Sequence, residues 1–172
     1  MLLTHLSRTS FSGHESFPLR FGWLPNVALH LPQNPPLFTL DTAPTELGVG
    51  KNMVYSIRHW SEAMGLIAPG EAKGTFHLTS LAQRLLSADG WDPYLEDPGT
   101  LWLLHWQLMH HPERATLAHL LFTQYAAERF DKDQVLRWLE RGLQRLLNYC
   151  HISGMNSSQA NFSRVQLTRC TI

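Results

Sequence analysis

Lysine is almost missing from this chain. Only Lys51, Lys73 and Lys132 occur in 172 residues, and Asp, Glu, Lys and Arg together make up 16%. Most positive charge is therefore arginine, and the net charge is zero with His neutral. That balance excludes a globally basic nucleic-acid binder and leaves local patches open. Cysteine is equally scarce: Cys150 and Cys170 lie near the C-terminus. Two cysteines make neither a disulfide framework nor a zinc-ligand set, so a reducing, cytoplasmic setting fits. No apolar run approaches the about 18 residues that a membrane helix needs; the longest, TLWLLHW, is far shorter. The start MLLTHLSRTSF lacks a basic region and a long apolar stretch, so it does not read as a signal peptide.

Catalytic signatures are missing too. There is no HExxH, no GxSxG and no complete phosphate loop; GVGK from Gly48 has neither the preceding strand nor the full spacing. No enzyme, cofactor or metal site is nominated. What is present is a 44% hydrophobic content, enough for an ordinary core in one domain or two small ones.

The chain divides into four stretches. Residues 1–40 are rich in aromatics and proline, with GWLPNVALHL able to hold a short helix before the loop LPQNPP. Residues 41–90 are the most informative. Asp41 or Thr42 can cap a first helix with Pro44 in its first turn, Gly48 marks a tight turn, and Met53, Val54, Ile57 and Trp60 recur at helical spacing. After Gly65, two apolar runs flank PGEAKG, which predicts a β-hairpin with a charged tip. Thr79 can then cap a helix through Leu85. Helix, turn, helix and hairpin in this order predict a winged helix-turn-helix. Residues 91–148 predict a turn-rich linker, WDPYLEDPG, and a helical bundle whose first helix, apolar on nearly every side, is expected to be largely buried. Residues 149–172 are Ser/Asn-rich without a clear period and are expected to be a disordered tail. The fold class expected is mainly α.

The second helix of the pair carries the candidate binding residues. Lys51, Asn52, Tyr55, Ser56, Arg58 and His59 are its non-core positions, with Gly50 before them and Lys73 at the hairpin tip. They are expected to face DNA, against a field weakened by Glu46, Glu62 and Glu71. Arg137, Arg141 and Arg145 share a face of the last helix, by default solvated. His105, His110, His111 and His119 are poorly spaced for metal, and His105 reads as a hydrogen-bonded core residue. Asp92, Glu96 and Asp97 can pair as carboxylates, but Asp97 before Pro98 suits a helix cap better. The segment FSGHESFPLRFGWLP interleaves His14, Glu15 and Arg20 with aromatics. It reads as a packing motif, with Glu15 and Arg20 paired or capping, rather than as a catalytic cluster.

FSGHESFPLRFGWLP, ELGVGKNMVYSIRHWSEAMGLI and DPYLEDPGTLWLLHWQL, in that order, resemble the DUF4007 proteins of prokaryotes. The resemblance implies a component of a DNA-modification or phage-defence system, since members look encoded beside DNA phosphorothioation or defence genes. It also implies a longer chain: members continue into a further C-terminal segment, so the ending after about Asn148 reads as a truncation or frame change. The function expected is a non-enzymatic, DNA-associated winged helix with DNA, modification or defence proteins, and a second copy as candidate partners, and no membrane. Two alternatives stand beside it: a protein–protein adaptor presenting Trp91, Tyr94 or Trp138, and a small hydrolase or nuclease using His14, Glu15 and the Asp92–Asp97 acids.

Overall fold

A computed structural model describes residue 10, residues 13–15 and residues 17–152, with the side chains of 143 and 145–152 left aside. It is mainly helical with one small antiparallel sheet. In chain order the elements are α1 (Trp23–His30), a 3-10 turn (Leu37–Thr39), α2 (Ala43–Leu47), α3 (Lys51–Ala63), β1 (Ile67–Pro69), β2 (Phe76–Leu78), α4 (Ser80–Leu86), α5 (Pro98–His110), α6 (Thr116–Gln124) and α7 (Lys132–Ile152).

The boundaries follow local chemistry. Helix α2 ends at Gly48, whose φ of 65° is left-handed and free of a Cβ penalty only for glycine. The Gly48 and Val49 amides then return to the Thr45 and Pro44 carbonyls, which closes the helix and starts the turn. The same pair of bonds ends α3, from Gly65 to Glu62 and from Leu66 to Ser61. Thr79 caps α4 by accepting from the Ala82 amide at 3.3 Å while its hydroxyl donates to the Gly65 carbonyl at 2.8 Å. Asp97 caps α5 through the Gly99 amide at 2.7 Å. Asp131 accepts from the Gln134 amide at 2.7 Å, and Gln134 Oε1 accepts from the Asp131 amide in return, a reciprocal capping box.

The hairpin pairs Ile67 with Leu78, Ala68 with His77 and Pro69 with Phe76, with residues 70–75 as its tip. Its inner residues join one core with α1, α2, α3 and α4, including Leu24, Leu31, Leu37, Ile57 and Leu85. Residues 17–40 are thus part of the core that holds the helix pair. Two polar ties fix α2: Asn34 and Thr42 both donate to the Glu46 carboxylate, at 2.9 and 2.7 Å, and Asn26 donates to the Leu47 carbonyl at 3.1 Å. A smaller cluster of Leu120, Val135 and Leu139 joins α6 to α7.

Two expectations need correction. Helix α5 is not largely buried: only Thr100, Leu104 and Leu108 are enclosed, while Leu101, Trp102 and Trp106 are exposed. Its uniform apolarity hid which stripe meets the core. The final helix also runs to Ile152, past the boundary drawn at residue 148; the rest of the expected tail lies outside the described residues.

Each fully buried aliphatic side chain contributes about 1.5–3 kcal/mol. Ile57→Ala, at the centre of the core, is expected to lower unfolding free energy by about 2–5 kcal/mol, and Thr79→Ala by about 1 kcal/mol. Urea midpoints at constant m-value check both. A Thr79→Ala loss equal to that of Ile57→Ala would contradict the capping role.

Candidate functional site

Helix α3 is covered on every side but one. Val54, Ile57 and Ala63 enter the core. The next side carries Ser56 and His59, and it is closed by the N-terminal segment. The Ser56 hydroxyl donates to the His14 carbonyl at 2.7 Å, with the Asn52 carbonyl at 3.1 Å, and Trp60 Nε1 donates to the Phe17 carbonyl at 3.0 Å. The His14 ring stacks on Trp60 at 5.5 Å and meets His59 edge-on at 6.1 Å. Gly13 lies against the His59 ring so closely that a Cβ there would collide with it. Ser10 extends the strap to Thr116 at the start of α6, with bonds in both directions.

Ser56 and His59 are therefore not open positions. Ser56 is 0% and His59 7% exposed, and both hold the strap. This corrects the expectation that they face a ligand. Helical spacing marked them as non-core, but the segment that covers them lies more than 40 residues away in sequence. The remaining stripe is Lys51, Tyr55 and Arg58, one side of the helix at i, i+4 and i+7, with Asn52 beside it. Lys51, Asn52 and Tyr55 are exposed and Arg58 is half-buried. Lys73 is exposed at the hairpin tip. The stripe ends at Glu62, which Arg114 holds at 2.8 Å.

That ion pair matters to the local field. Of the three acids expected to weaken it, Glu62 is neutralised by Arg114, whereas Glu46, held only by the neutral donors Thr42 and Asn34, stays anionic and Glu71 is exposed at the hairpin tip. The hydrogen bond from Thr42, then that from Asn34, holds the Glu46 carboxyl below its usual range. Sequence reasoning missed Arg114, 52 residues from its partner and without any local signal. It also underused Arg20, which lines an opening with Thr45, Gly48 and Gly50 at the start of α3. Arg20 lies over the Phe17 and Trp23 rings at 5.9 and 5.7 Å, so the aromatic run seats this cation.

The other constellations stay apart. Asp92 is 8% exposed and receives the Glu96 and Asp97 amides at 2.9 and 3.0 Å. Burial opposes its ionisation, yet these bonds and the Thr100 hydroxyl hold its carboxyl below the usual range. The linker acids thus serve the backbone. His105 is not a core residue: it lies between the exposed rings of Trp102 and Phe122, at 5.9 and 4.6 Å. His110 and His119 donate from Nδ1 to the Trp106 and Met109 carbonyls, and His111 meets Glu113 at 3.3 Å. Among the described residues no group of three His, Cys, Asp or Glu can hold a metal. Arg137 and Arg141 are exposed; the Arg145 side chain lies outside the described set.

A family model, "Protein of unknown function (DUF4007)", matches residues 11–153. The chain belongs to this family. Two solved structures are similar to this DUF4007 chain. One, "SspB crystal structure", is 34% identical with a TM-score of 0.73, covering 95% of this chain and 48% of that one. The other, "Magnesium ion-bound SspB crystal structure", is 32% identical with a TM-score of 0.70 and the same coverage. The chain spans about half the length of these relatives. No curated protein matches it. Among the described residues no helix is long and apolar enough to cross a membrane.

The strap should be pH-sensitive. Burial first, then the positive charges of His14, Arg114 and Arg58, lower the His59 pKa from 6.5 to about 4. Burial also lowers that of His14. As pH falls below 6.5 the unfolded chain takes up protons before the folded one. Stability is then lost progressively from 6.5 towards about 4, while above 6.5 this contribution is fully present. Urea midpoints at pH 7 and pH 5 measure it. His59→Gln should flatten the difference, and an unchanged pH dependence in that variant would refute the assignment.

Proposed function

We propose that this chain is a non-enzymatic, DNA-contacting component of a bacterial DNA-modification or phage-defence system, working in the cytoplasm. The observation that carries this proposal is the single uncovered stripe of α3. Lys51, Tyr55 and Arg58 lie along it, Asn52 stands at its start, and the hairpin with Lys73 stands alongside. A helix preceded by a short helix and tight turn, and followed by a hairpin, is how winged helices present a reading helix to the major groove. Family membership and similarity to SspB favour the defence or modification setting. The free amides at the start of α3, where no side chain caps it, add to the attraction for phosphate.

Only a few cations are available, so affinity should be modest and salt-dependent. Three phosphate contacts give a slope of log K against log salt of about −2 to −3. Specific recognition then calls for a second copy or a partner that doubles the contacts. Fluorescence anisotropy of a labelled duplex, over a salt series without magnesium, tests this. Lys51→Ala/Arg58→Ala is expected to weaken binding and flatten the slope. Absence of binding by folded protein to any duplex at low salt would defeat the proposal. Magnesium-dependent cleavage of the same duplex would replace a binding role with a catalytic one.

One observation favours an adaptor as the second reading. Helices α5 and α6 contain no Asp, Glu, Lys or Arg, and they expose Trp102, Trp106 and Phe122. Trp91 and Tyr94 in the linker are also exposed. Aromatic, charge-depleted surface is typical of the centre of protein interfaces. Nuclease-resistant co-purification with a modification protein, lost in Trp102→Ser/Trp106→Ser, would support it. Retention of the complex in that variant would count against this face.

A further inference from the structure

Among the described residues no acid pairs with Arg58. Its guanidinium carbon lies 5.9 Å from the centroid of the Phe76 ring in β2. Phe76 is itself fixed: its ring meets Phe38 edge-on at 5.6 Å, and its amide donates to the Pro35 carbonyl at 2.8 Å. Arg58 Nε is buried without an acceptor among the described residues. The acid one turn on, Glu62, stands where an intrahelical partner would be expected, but Arg114 has taken it. An enclosed Nε with no acceptor, on a side chain with no acidic partner among the described residues, leaves the charge without a protein partner there. The two terminal nitrogens are the donors left to relieve it from outside.

We propose that the Arg58 guanidinium, seated on Phe76 between α3 and the hairpin, is a preorganised receiver for a backbone phosphate of bound DNA, with Phe76 as its positioning residue. This rests on the DNA reading above and names what one cation of that stripe binds. Phosphate is favoured over a base edge by position. Residues reading bases come from the first turns of such a helix, whereas Arg58 is in the third turn and leans towards the hairpin. A planar guanidinium also presents paired N–H donors that match two phosphate oxygens.

The test uses the full chain, with far-UV circular dichroism to establish folding of each variant. Anisotropy over a salt series is measured on two duplexes of unrelated sequence for wild type, Arg58→Ala, Arg58→Lys and Phe76→Leu. In parallel, the Arg58 Nε–H resonance is followed by 15N NMR as inorganic phosphate is added. Arg58→Ala is expected to weaken both duplexes alike, on the order of ten-fold, and to reduce the salt slope by about one. Arg58→Lys should keep the slope and lose part of the affinity. Phe76→Leu should do the same, because the charge remains and its seat is gone. The wild-type Nε–H should shift with phosphate, and less so in Phe76→Leu. Wild-type affinity in Arg58→Ala overturns the proposal and leaves the DNA reading standing. Loss on one duplex only overturns it in favour of base reading. If wild type binds no duplex, the DNA reading fails, and the phosphate titration alone decides whether Arg58 is an anion receiver: a shift retains it and no shift removes it.

Discussion

The strap over α3 is the contact on which the rest of the molecule depends. A helix of 13 residues must bury its apolar positions somewhere, and the core takes only Val54, Ile57, Ala63 and their neighbours. Ser56, His59 and Trp60 would otherwise expose polar groups beside a large indole. His14 and Phe17 solve this with their backbone carbonyls, which accept from Ser56 and Trp60, and the His14 ring stacks on the indole. Once that side is closed, the helix has one direction left in which to present side chains.

The scarcity of charge then acquires a local meaning. A neutral chain with three lysines can still present a positive stripe if its nearby acids are committed elsewhere. Glu62, one turn from Arg58, is paired with Arg114, while Glu46 accepts only from the neutral donors Thr42 and Asn34 and stays anionic. The pairing of Glu62 leaves Arg58 with one fewer competing negative charge than composition suggests. That pair also ties Arg114, in the turn before α6, to α3, so the local field follows from a contact that fixes structure.

Much of this was legible in sequence, and the failures have a common cause. Helical spacing, Pro44, Gly48 and the Thr79 cap located α2, α3, the hairpin and α4, because these signals act within a few residues. Asp97 was legible as a cap for the same reason. What was not legible is any property set by a distant segment. Ser56 and His59 looked open because the strap that covers them is irregular and carries no period. Arg114 and Phe76 had no local signal linking them to Glu62 and Arg58. Helix α5 failed differently: with apolar residues all round, its pattern cannot say which stripe is buried, so a largely buried helix was expected where Trp102 and Trp106 are in fact exposed.

The strap and the open stripe lie on one rigid helix, which makes them mechanically dependent. Tyr55 and Arg58 lie within two residues of Ser56 in sequence but point to another side, and a rotation of α3 about its axis would trade one set for the other. The Ser56–His14 and Trp60–Phe17 bonds resist that rotation from one side, and the seat of Arg58 on Phe76 resists it from the other. Neither hold is strong alone, since a hydrogen bond is worth about 1 kcal/mol net and an exposed cation–π contact about 0.5–1 kcal/mol. Acting on opposite sides of the same helix they fix its azimuth, and azimuth decides which donors face outward. An aromatic segment with a few polar groups is suited to that work: its carbonyls and rings fix orientation, while the outward-facing cations belong to the helix it holds.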